Sequence, residues 1–131
     1  MSSRNALRGT ETILVVEDED DVRELIADIL KEYGYSVLEA RDPREARARA
    51  ENFRGVIDLL ITDIVMPNEG GRRLAEQLGP TRPDMKILYI SGHPARGVTS
   101  RFMLEPDTHF LPKPFNVEQF ARKIREILAE R

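Results

Sequence analysis

Five short apolar runs, each followed by residues with helical spacing, limit this chain to few folds. The runs are Thr12–Val16, Ser36–Glu39, Asp58–Thr62, Lys86–Ile90 and His109–Leu111. Runs this short and apolar suit strands buried on both faces. After the first run, Val22, Leu25, Ile26, Ile29 and Leu30 recur at i, i+3, i+4, i+7 and i+8. That period predicts a helix from about Asp20 to Tyr33. Acids in its first turn suit the helix dipole, and Gly34 suits its stop. Asp42-Pro43 reads as a cap and first-turn proline opening a second helix, arginine- and alanine-rich, to about Asn52. A loop with Pro67, Gly70 and Gly71 precedes a short helix bearing Leu74, Ala75 and Leu78, which Gly79-Pro80 ends. Pro94, Gly97 and Pro106 leave room only for a short fourth helix near 98–104. A fifth helix, Val117–Ala129, is expected to bury Val117, Phe120, Ala121, Ile124, Ile127 and Leu128. Strands alternating with helices imply an α/β fold: a parallel sheet, helices on both faces, right-handed crossovers.

The length of 131 residues suits one domain, expected over 12–131 after a flexible tail at 1–11. A net charge of -3, with bases interspersed among acids, argues against a chain built to coat nucleic acid. The absence of cysteine excludes disulfides and thiolate metal sites. No apolar stretch approaches the roughly 20 residues of a membrane helix. Met1–Thr10 lacks the apolar centre of a signal peptide. The expected location is the cytoplasm, with no direct contact to membrane or nucleic acid.

Four of the apolar runs deliver reactive groups to their C-terminal ends. Glu17-Asp18 ends the first, Asp63 the third, Ser91-Gly92 the fourth and Lys113-Pro114 the fifth. In an open parallel sheet, ligands and chemistry gather at that edge. If the first and third strands are neighbours, Glu17, Asp18 and Asp63 converge. Two like charges about 4 Å apart repel by about 4 kcal/mol at an effective dielectric of roughly 20. A cation relieves that repulsion, and an all-oxygen donor set favours a hard ion, Mg²⁺ above others. Glu19 and Asp21 read as ordinary acids of a helix start. Asp63 could be a ligand, a nucleophile attacking phosphorus, or both. Phosphoryl transfer needs positioning and charge cancellation, which Lys113 and Ser91 could supply. Either residue alone would read as a solvated lysine or a turn-capping serine; together, at four strand ends, they form a site.

The chain resembles the receiver domains of two-component response regulators, of the chemotaxis-regulator type. The resemblance rests on Ile13-Leu14-Val15-Val16-Glu17-Asp18, on Asp63 with Met66-Pro67 and Gly71, on Ser91-Gly92, and on Phe110-Leu111-Pro112-Lys113-Pro114-Phe115. It covers about Thr12 to Ala129. It implies a flavodoxin-like, doubly wound five-stranded sheet of order 2-1-3-4-5. By position, Asp63 resembles the phospho-acceptor and Asp18 the direct Mg²⁺ ligand. Glu17 would act on the ion through water, and the Val65 backbone carbonyl would complete the protein's share. Ser91 resembles the hydroxyl that meets the phosphoryl group, and Lys113 the ammonium that pairs with Asp63 and then with the phosphoryl oxygen. The Lys113-Pro114 bond is usually cis in such domains. Phe110 stands where the family has an aromatic that swings inward on activation.

The implied function is a phosphorelay switch that receives its phosphoryl group from a histidine kinase or histidine phosphotransferase. Its output would pass to a target protein through the fourth helix, fifth strand and fifth helix. Such a domain phosphorylates and slowly dephosphorylates itself and is not a turnover enzyme. It would be a monomer or a phosphorylation-dependent dimer. Glu17 replaces the more usual first aspartate, and Val65 and His93 occupy positions that tune acyl-phosphate hydrolysis in the family. Ser91-Gly92-His93-Pro94 with Met66-Pro67 is similar to receivers attached to hybrid sensor kinases. No output domain is expected after Arg131. Two other readings exist: a haloacid-dehalogenase-type phosphatase with Asp18 as nucleophile and Asp20 as acid/base, and a binding module that works without phosphorylation. The first leaves Asp63 unexplained. A dinucleotide-binding domain lacks its Gly-x-Gly-x-x-Gly after the first strand.

Overall fold

The computed structural model describes residues 7–64, 70–91, 109–113 and 115–130. Val65, Met66-Pro67, Gly92, His93, Pro114 and the expected helix at 98–104 lie outside them. The strands are β1 (Thr12–Val16), β2 (Ser36–Ala40), β3 (Leu59–Asp63), β4 (Lys86–Ser91) and β5 (His109–Pro112). The helices described are α1 (Asp20–Glu32), α2 (Pro43–Asn52), α3 (Gly71–Leu78) and α4 (Val117–Ala129). The strands form one sheet in the order β2-β1-β3-β4-β5, every neighbouring pair parallel. This is the order that the family resemblance implied.

Side chains alternate across a strand, so each strand feeds two cores. Ile13 and Val15 of β1, with Leu59 and Ile61 of β3, meet Ile26 and Leu30 of α1 and Phe120 and Ile124 of α4. Leu14 and Val16, with Leu60, meet Ala46 and Ala50 of α2 and Leu74 and Leu78 of α3. β3 is buried along its whole length, which accounts for its unbroken apolar run.

Local signals in the sequence set the helix ends. Asp42 accepts the Glu45 amide at 2.8 Å, with Pro43 at the first helical position. Gly34 has φ of +99°, a conformation that favours glycine, and its N–H bonds the Lys31 carbonyl at 3.0 Å past the end of α1. Two devices were not foreseen. Asn116 and Gln119 form a reciprocal capping box at the start of α4. Arg82 donates to the carbonyls of Ala50, Phe53 and Gly55 at 2.8–3.0 Å, closing the C-terminal end of α2.

Some sequence expectations need correction. Asp58 precedes β3 rather than starting it: its Oδ2 accepts the Thr12 amide at 2.8 Å and its N–H bonds the Thr12 carbonyl at 2.9 Å. Leu25 is 60% exposed, because it stands about a quarter turn from Ile26, which faces the core. Val117 is 45% exposed at the first residue of α4, one turn before Phe120 reaches the core. Residues 7–11, expected within a free tail, lie against the body. Leu7 is buried in the core with Tyr33 and Tyr35, and the Gly9 N–H bonds the Tyr33 carbonyl at 3.0 Å. Both Glu11 carboxylate oxygens accept from Arg125 at 2.9 Å.

Candidate functional site

The C-terminal ends of β1, β3 and β5 place three side chains in contact. Glu17 directly follows β1 and is 2% exposed, and Asp63 ends β3 at 7%. Lys113 directly follows β5. Its Nζ lies 3.1 Å from Glu17 Oε1 and 3.3 Å from Asp63 Oδ1. Asp18 is the exposed neighbour. One carboxylate oxygen each from Glu17, Asp18 and Asp63 falls within 4.8 Å of the others. Neighbouring β1 and β3 bring the acids together, as the apolar runs suggested.

Burial pushes the Asp63 carboxyl up to about 8, and the adjacent Glu17 carboxyl adds to the rise; Lys113 only partly offsets them. Burial also pushes Glu17 up, but hydrogen bonds with Asp63, the Glu19 amide and Lys113 outweigh it and hold Glu17 low. The Asp18 carboxyl is raised, by the slight loss of solvent around it and by Glu17 beside it. Burial works against the Lys113 charge, yet its two carboxylate neighbours keep its affinity for the proton above the usual lysine value. The site thus gathers three carboxyl groups around one ammonium. The donors are all carboxylate oxygens, with no histidine or cysteine among the group. That composition fits a hard divalent cation.

The remaining expected site residues are placed unequally. Ser91 ends β4, one step past Ile90, which pairs with Asp63. Phe110 pairs with Tyr89 across β4 and β5 and is half-buried against the α2–α3 core. Val65 lies outside the described residues. Thr62, buried one residue before Asp63, donates its hydroxyl to the Asp63 carbonyl at 3.1 Å. The Gly71 N–H bonds the Ile64 carbonyl at 3.0 Å, and a Cβ at Gly71 would overlap the Asp63 carbonyl oxygen. Glycine there lets α3 start directly against the end of β3.

Arg23 was not singled out by the sequence, although it is the only base among the acids from Glu17 to Asp28. Its Nη1 donates to the Glu17 carbonyl at 2.9 Å and its Nη2 to Asp20 Oδ1 at 2.6 Å.

Comparison with known proteins agrees with this fold. The model of the response regulator receiver domain matches residues 13–125. The chain is 37% identical over 122 residues to the sensor kinase CckA of Brucella abortus (strain 2308), covering 93% of this chain but 13% of that protein. It is 33% identical over 118 residues to the receiver protein CpdR of the same organism, covering 88% of this chain and 95% of that protein. Among solved structures, the receiver domain of the hybrid histidine kinase CckA superposes with a TM-score of 0.76 at 38% identity, covering 89% of this chain and 98% of that one. A CheY-like receiver from Methanospirillum hungatei JF-1 gives 0.79 at 30% identity, covering 92% and 94%. With a matching family model along most of its length and the sheet order of such folds, the chain belongs to the response regulator receiver domain family.

Proposed function

We propose that this receiver domain accepts a phosphoryl group on Asp63 from a phosphohistidine on a histidine kinase or histidine phosphotransferase. The observation that carries this reading is Asp63 itself: a carboxylate buried at a strand end, grouped with two further acids and paired to Lys113. An Asp63 carboxylate oxygen bonds to phosphorus as the P–N bond to the donor imidazole breaks, and that nitrogen recovers a proton from solvent. Glu17, Asp18 and Asp63, with the Val65 carbonyl, would hold Mg²⁺. When bound, the ion supplies positive charge for the acids and for a phosphoryl oxygen. Lys113 would exchange its carboxylate contacts for a second phosphoryl oxygen, and the Ser91 hydroxyl would take the third. Phe110, half-buried beside Tyr89, would then move inward, biasing a population between two packings.

The output surface would include β5 and α4, which frame a shallow groove of about 300 Å³ lined by Leu111, Asn116, Gln119 and Arg122 among others. The phosphatase alternative is weakened by Asp20. Its carboxylate is exposed and held by Arg23, away from the role of acid/base. Incubation with acetyl phosphate or phosphoramidate and Mg²⁺, read by intact mass, tests the proposal. One phosphoryl adduct on the wild type and none on Asp63→Asn is the expected result. An undiminished adduct on Asp63→Asn, or none on the wild type, would sink it.

A further inference from the structure

We propose that Arg23 is a positioning residue for the acidic turn, fixing the peptide that carries Asp18 so that the carboxylates can take a divalent cation. The inference rests on the reading of Glu17, Asp18 and Asp63 as a cation site. Helical side chains lean toward the N-terminus, so Arg23, one turn into α1, reaches back over the helix start. Its guanidinium bonds the Glu17 carbonyl at 2.9 Å. That carbonyl and the Asp18 N–H belong to one planar peptide unit, so holding the first orients the second.

The rest of the turn is pinned around this bond. The Glu17 N–H reaches the Ala40 carbonyl at 3.0 Å, and Glu17 Oε2 accepts the Glu19 amide at 3.0 Å. Among the described residues no side-chain cap closes the N-terminus of α1, and Arg23 grips the turn from the helix. Its side chain is only 15% exposed, whereas its ion-pair partner Asp20 is 73% exposed. Its Nε also stands 3.7 Å from Glu39 Oε1 of β2. A simple surface ion pair would not need this burial or the carbonyl bond. Asp20 and Glu39 neutralise the guanidinium, so its contribution to the site is geometric.

The direction of the effect separates this role from its rivals. If charge alone mattered, removing a cation near three acids would tighten metal binding. If Arg23 served only the helix start, metal binding would not change. The test is calorimetric titration of Mg²⁺ into the full chain, with amide NMR shifts as a second readout. Arg23→Ala is expected to weaken Mg²⁺ binding about tenfold, the usual scale for a residue supporting metal ligands. Arg23→Lys, keeping the charge and one donor able to reach the carbonyl, recovers part of that loss. Arg82→Ala, which loosens α2 far from the acids, lowers the melting temperature without changing Mg²⁺ affinity. Should Arg23→Ala not fold, Arg23→Gln shows a smaller weakening. Wild-type affinity or tighter in the Arg23 variants overturns the proposal. A wild type that binds no Mg²⁺ overturns the cation reading and this inference together, so the two failures are told apart.

Discussion

Glu17 Oε1 and Lys113 Nζ lie 3.1 Å apart, closer than Lys113 and Asp63 at 3.3 Å. The ammonium is thus shared between the acid that follows β1 and the acid that ends β3. Removing it leaves two buried carboxylates facing each other. Lys113→Ala is expected to destabilise the metal-free protein by about 1–3 kcal/mol, less than a fully buried pair because Lys113 is partly exposed. Mg²⁺ should recover more stability in the variant than in the wild type, since the ion supplies the missing charge. Urea melts with EDTA and with Mg²⁺ check both statements.

Asp63→Asn is expected to stabilise the metal-free protein, and the gain should depend on pH. The folded-state value of about 8 exceeds the ordinary 3.8. Between those values the folded wild type binds more protons than the unfolded chain, so its stability falls as pH rises. Asn at this position removes that penalty. The advantage of Asp63→Asn should therefore grow from pH 5 to pH 8, by on the order of 1–3 kcal/mol. Denaturant melts in EDTA across that window provide the measurement, and a constant difference would contradict it.

Gly71→Ala should be costly although alanine is the better helix former. Its Cβ would overlap the Asp63 carbonyl oxygen and crowd the Thr62 side chain. Backbone oxygen at a buried strand end cannot yield cheaply. A loss of about 2–4 kcal/mol is expected, with phosphoryl acceptance slowed because Asp63 must move. Thermal melts and the rate of adduct formation by mass check the two effects.

Arg82→Lys should behave as a loss and not as a conservative change. The guanidinium donates to three carbonyls at the end of α2, and an ammonium cannot reproduce that fork. The expected cost is about 1–2 kcal/mol. Phosphoryl acceptance at Asp63 should stay at the wild-type rate, a separation that paired melts and acetyl phosphate assays would reveal.

The sequence carried the sheet well because β1 and β3 are buried on both faces, and burial leaves an unbroken apolar run. The acids at their ends were legible for the same reason: Glu17 and Asp63 interrupt apolar runs where a strand must stop. Arg23 and Arg82 were not legible. Each acts on backbone carbonyls, and a carbonyl acceptor leaves no trace in the residue types around it. Leu25 misled because a helical period of apolar residues does not say how wide the buried stripe is. Leu7 was missed because a single apolar residue in a polar stretch has no period to read. Glu11, likewise, looked like one more solvated acid until Arg125 stood opposite it, 114 residues away.

That distant pairing bears on where this domain can be cut. The strand boundary invites a recombinant form that begins at Thr12. Such a form would leave an empty place in the core where Leu7 is buried, and would strip Arg125 of its carboxylate partner. A form made for expression or fusion therefore needs to keep the residues from Leu7 on, five residues before the first strand begins.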